Sequence, residues 1–102
     1  MIRASDWRAM QRNTLQGFCT LHLEPSGLVL RDCSFHRRDD GREWIGLPSK
    51  PQIDRDGNHR QDPKTGKPAY VAIVEIPDKD RRERFQAAAI AAVHALLGEA
   101  AS

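Results

Sequence analysis

Two runs of alternating residues, joined by a tight turn, set the first limit on how this chain folds. In residues 18–24, Cys19, Leu21 and Leu23 fall on one side of an extended chain, and Thr20, His22 and Glu24 on the other. A period of two marks a half-buried β-strand. Pro25-Ser26-Gly27 is turn chemistry, and "LVLRDCSFH" (28–36) then reads as a second strand folded back on the first. With a three-residue loop at 25–27, Cys19 faces Cys33 on the inner side, together with Val29 and Phe35. Asp40-Gly41 signals a second turn into "EWIGL" (43–47), which extends the pair to a three-stranded antiparallel meander.

The other strong period lies near the C-terminal end. Phe85, Ala89, Val93, Leu96 and Leu97 make one apolar stripe at helical spacing, Asp80 and Glu83 form a capping box, and Gly98 ends the helix. Ahead of it, "AYVAIVEI" (69–76) is apolar on both faces and reads as a strand needing cover on both sides. The helix covers one side, and a second copy of the chain is a candidate for the other. Residues 48–69 hold four of the six prolines and form a long Pro/Gly-rich loop with a turn on Asp56-Gly57. Residues 1–13 fit no single period and stay ambiguous. The expectation is one α+β domain over 1–102, a small twisted antiparallel sheet (a meander of about four to five strands) with one C-terminal helix packed on it.

At 102 residues the chain has material for a single modest core. Its 39% hydrophobic and 29% charged residues exclude a disordered segment, and no apolar run reaches the ~18 residues of a membrane span. The opening residues carry no secretory-signal pattern; with two cysteines, this predicts a reduced, cytoplasmic protein. Cys19/His22 and Cys33/His36 repeat a C-x2-H spacing that invites zinc. Residues three apart on a strand point to opposite faces, so the spacing is read instead as core cysteines and outward histidines, with no metal. A Cys19–Cys33 disulfide is geometrically conceivable but disfavoured in a reducing compartment. The 54–66 stretch misses the calcium-loop pattern, with Gly57 at position four and Thr65 at position twelve. No serine, threonine or cysteine sits in a nucleophile motif, which predicts no enzyme, no cofactor and no small-molecule substrate.

The basic residues stand out by placement. Arg81, Arg82 and Arg84 crowd the first turns of the helix, where the macrodipole favours acids unless an anion is near. Arg37 and Arg38 flank a turn, Arg31 lies on a strand, and Lys50, Lys64 and Lys67 populate the long loop. A net charge of +2 with pI near 8.8 is compatible with an anionic partner. Trp44 either stacks on a base or packs in a dimer interface.

The segment "GLVLRDCSFHRRDDGREWIGLPSK" (27–50) resembles the centre of the SpoVG family, the stage V sporulation protein G or septation-regulator proteins. The matching residues are Val29, Leu30 and Asp32, then Gly41, then Trp44, Ile45, Leu47, Pro48, Ser49 and Lys50. Arg82, Arg84, Gln86 and His94 match the family's closing helix, so the likeness spans roughly 14–97. The chain departs from the pattern in a weak first strand, a longer loop after Pro-Ser-Lys, and Pro51 where many members carry arginine. The resemblance implies a small dimeric α+β protein that binds DNA and RNA and regulates gene expression. It carries Lys50, Arg82 and Arg84 over as contacts, while Arg31, Arg37, Arg38, Arg81, Lys64 and Lys67 come from charge placement alone. The main alternative is a protein-interaction module whose dimer presents the 48–69 loop to a protein partner.

Overall fold

The structure, a computed structural model, describes residues 1–53, 55–58, 61, 64, 66 and 70–98. Strands β1 (Ile2–Arg12), β2 (Leu15–Leu23), β3 (Leu28–Arg37) and β4 (Glu43–Gly46) form one antiparallel sheet in that order. The helix α1 (Lys79–Leu97) packs on one face. Cys19, Leu21, Cys33, Phe35, Ile45 and Ala4 supply the sheet's half of the core, and Phe85, Ala89 and Val93 the helix's half. The α+β architecture is therefore the one expected, with differences that have identifiable causes.

Residues 1–13 look aperiodic because β1 slips register twice, between Ser5 and Arg8 and between Ala9 and Arg12. An extra residue in a strand reverses which side the following residues face. Asp6 takes up the first slip at φ 56, so Ala4 and Trp7 both reach the core although they are three positions apart. Trp7 then lies across Gly17 and meets Phe35 edge-on at 6.3 Å. A Cβ at Gly17 would stand 2.6 Å from the Arg8 carbonyl oxygen and from the Trp7 ring, so only glycine fits there.

Cys19 does face Cys33, but the turn leaves Leu23 opposite Leu28 and so occupies residues 24–27, with a cis Glu24–Pro25 bond. A slip between Cys19 and Leu21, with Asp32 at φ 58, then restores the register. That slip corrects the expected facing of Val29: it pairs with His22 and is exposed, outside the core. The helix cap is also corrected. Asp78 accepts from the Arg81 amide at 2.8 Å, so the cap lies two residues before the Asp80/Glu83 pair. Gly98 ends the helix in the left-handed region, whereas Leu96 turns out exposed.

The strand expected over 69–76 is the largest correction. Only β6 (Tyr70–Ala72) forms, all exposed, pairing with β5 (Ser49–Pro51) in a separate two-stranded sheet. Pro48 ends the run through β4, and Ser49-Lys50 begins this second ladder instead of a loop, with the Ile73 amide donating to the Pro48 carbonyl. Ile76 alone from the end of that apolar run packs against the core. Gly57 sits at φ 83 in the expected turn over residues 55–57. Among the described residues, no helix is long and apolar enough to cross a membrane.

Candidate nucleic-acid interface

Two side chains of α1 fix which end of the sheet each cation occupies. Gln86 spans the free edge of β4, accepting from the Ile45 amide and donating to the Ile45 carbonyl, both at 2.8 Å. Its amide occupies the hydrogen-bonding edge where a fifth strand would pair. His94, about two turns further on, holds the Glu43 carboxylate at 2.9 Å. The helix therefore runs antiparallel to β4, and its N-terminal end lies where β4 leads to Pro48 and Lys50.

The nine basic residues singled out from sequence divide accordingly. Arg37 and Arg38 sit at the helix C-terminal end. Arg37 is committed there: it donates to Glu43 at 2.9 Å and lies over the Phe35 ring at 5.5 Å. Arg38 lies 3.8 Å from Asp40 across the turn. Arg81, Arg82, Arg84 and Lys50 gather toward the other end, and Arg31 joins them, because β3 runs past the Ser34–Gly46 pair in that direction. Within this group Arg82 donates back to the Ile76 and Pro77 carbonyls, and Arg84 to the Asp80 carbonyl. Arg31, Lys50 and Arg81 are exposed, with no side-chain partner among the described residues. Lys64 is exposed in the long segment, and Lys67 lies outside the described residues.

Burial raises the Glu43 carboxyl's pKa, but hydrogen bonds from His94 and Arg37 outweigh it and leave the value below the usual 4.5. Glu43 is thus an ionised tie among β3, β4 and α1. Burial pushes the Cys33 thiol up to about 12, helped by Cys19 and Asp32, and raises Cys19 as well. Both cysteines are free, buried and held as unreactive thiols. The histidines of the C-x2-H pairs point the other way: His22 bonds Ser5 at 2.8 Å, and His36 bonds Thr14 at 3.1 Å and Ser34 at 3.0 Å. Among the described residues, no group of three or more potential ligands gathers around a metal position.

The face of the sheet opposite the helix carries a feature that sequence reasoning left open. Trp44 lies parallel to His36, with centroids 5.1 Å apart and planes within 1°. Burial lowers the His36 pKa below the usual 6.5, favouring the neutral imidazole in this stack. Phe18 lies on the same face with Arg8 5.8 Å over its ring, and Arg8 pairs with Asp32 across β2. The structural roles of Gln86 and His94 also escape charge counting. Their signal is a pair of polar residues spaced by two turns beside the buried helical stripe.

A four-stranded antiparallel sheet backed by one helix, with a small second sheet at the helix's N-terminal end, defines an α+β domain. Scans against models of known protein families, curated proteins and solved structures returned no match.

Proposed function

We propose that this protein binds nucleic acid without catalysing a reaction, acts as a homodimer, and serves as a regulator of gene expression as the SpoVG-like segment implies. The observation that carries the binding is the grouping of Arg31, Lys50 and Arg81, exposed and unpaired among the described residues, toward one end of the domain. Three arginines at the start of a helix work against the macrodipole, and a bound phosphate relieves that conflict. Lys50 is held in a strand opposite Val71, so ordering it for a phosphate contact costs less than ordering a loop lysine. Arg82 supports the site differently, by tying the segment before the helix to its first turn, and Arg84 donates to the Asp80 carbonyl within that turn.

Support for the dimer comes from the β5–β6 sheet. Tyr70 within it, and Ile73 and Ile53 beside it, are 63%, 61% and 58% exposed. A two-stranded sheet with its apolar residues in water is marginal alone, and a second copy is the partner that supplies cover. The test is retention of the folded protein on immobilised mixed DNA and RNA, followed by salt elution and sedimentation. We expect a dimer that elutes with rising salt and loses its partners after nuclease treatment. A folded protein that ignores nucleic acid at low salt, or retains a protein partner through nuclease treatment, overturns the reading in favour of an interaction module.

A further inference from the structure

We infer that the open face of the four-stranded sheet is a base-stacking platform for single-stranded nucleic acid, centred on Trp44. The inference rests on the nucleic-acid reading above and adds a second, chemically different part to the site. Strand pairing fixes what the face contains. One row holds Arg3, His22 and the exposed Val29, and the next Ser5 opposite the buried Thr20. The third runs Arg8, Phe18, Ser34 and Gly46, and the fourth Leu15, His36 and Trp44. Among the described residues no helix covers these rows, because α1 packs on the opposite face.

Four features favour a nucleobase over an apolar partner. The rings are presented in a fixed arrangement: His36 is hydrogen-bonded through both ring nitrogens, to Thr14 and Ser34, and Trp44 lies flat against it. Trp44 is on β4, whose neighbours within the sheet lie on one side only, so its second ring face is directed beyond the last strand. A base placed there continues a stack that already has two members. Gly46, next to Trp44 on the same face, carries no side chain, so the surface beside the indole stays low. The charge is also complementary to a phosphate chain: the rows carry Arg3 and, opposite Leu15, Arg12, while Arg8 and Asp32 balance each other.

A duplex has its bases stacked internally and cannot use such a platform, so the platform predicts a preference that phosphate contacts alone do not give. The test measures binding of the full chain to labelled oligothymidylate, oligouridylate and a mixed-sequence duplex, for wild type, Trp44→Leu and Trp44→Phe. We expect Trp44→Leu to weaken both single-strand complexes by roughly tenfold while duplex affinity changes less than about twofold, and Trp44→Phe to recover most of the loss. The two oligomers separate DNA from RNA as the source of the bases. Unchanged single-strand affinity in folded Trp44→Leu, or equal weakening for the duplex, overturns the platform while leaving the cation site standing. Failure of the wild-type protein to bind any of the three overturns both. If Trp44→Leu does not fold, photocrosslinking of wild-type protein to an iodouracil-substituted strand replaces it. Crosslinks at Phe18, His36 or Trp44 support the platform, and crosslinks confined to the Lys50 corner and the helix start overturn it. Conversion of a dimer to monomer by Trp44→Leu, with oligomer binding intact, assigns the face to a second copy and overturns it too.

Discussion

The four-stranded sheet with its helix and the small β5–β6 sheet are built on opposite terms. In the first, every layer is tied to another: Trp7 lies across Gly17, Gln86 closes the edge of β4, and Glu43 joins Arg37 to His94. In the second, three residues pair with three, and Tyr70, Val71 and Ala72 are all exposed. The first region has the burial and closed hydrogen bonding of a self-sufficient fold. The second leaves its residues exposed, and it carries Lys50.

Substitutions break this contrast in a graded way. The largest effect is expected at Gly17. Gly17→Val drives side-chain atoms into the Arg8 carbonyl and the Trp7 ring, costing about 3 kcal/mol in chemical denaturation. Gln86→Ala follows, because it strips the Ile45 amide and carbonyl of their partner, at about 2 kcal/mol. Glu43→Ala comes next, at about 1 kcal/mol by the same measurement. Ile73→Ser, in the exposed region, is expected to change folding stability by less than about 0.5 kcal/mol while weakening self-association in sedimentation.

Acid sharpens the comparison further, since both shifted groups with ordinary pKa values below 7, Glu43 and His36, belong to the first region. Glu43 has its folded pKa below 4.5, so its stabilisation is present above that pH and is lost as pH falls through the folded value. His36 has its folded pKa below 6.5, so the unfolded chain takes up the proton first. Stability therefore falls on acidification from 6.5 downward. Thermal melts across this range are expected to show two losses, the upper one removed by His36→Asn and the lower one by Glu43→Gln.

How much of this was legible in sequence follows the same division. The strand at 18–24, the turn at Asp40-Gly41 and the helical stripe were readable because strand and stripe each keep one period and the turn carries its own residue signature. The strand Ile2–Arg12 was not, since its slips at Asp6 and beyond Ala9 change the period within one element. Val29 was misplaced for a related reason: the slip at Asp32 reverses the facing between Cys33 and Leu30. The stretch 69–76 has the composition of a buried strand, yet composition does not say which partner buries it. Among the cations, spacing placed Arg81 and Lys50 near structural landmarks, but only geometry separates Arg37, held by Glu43, from the group at the opposite end.

The most direct measurement of the central claim is the dependence of nucleic-acid affinity on salt for wild type and for Arg31→Ala, Lys50→Ala and Arg81→Ala combined. Each phosphate contact contributes about 0.7–0.9 to the slope of log affinity against log salt concentration. The account predicts a steep wild-type slope that becomes shallower by about two units in the triple variant, with the fold unchanged in thermal melts. Equal slopes for the two folded proteins contradict it.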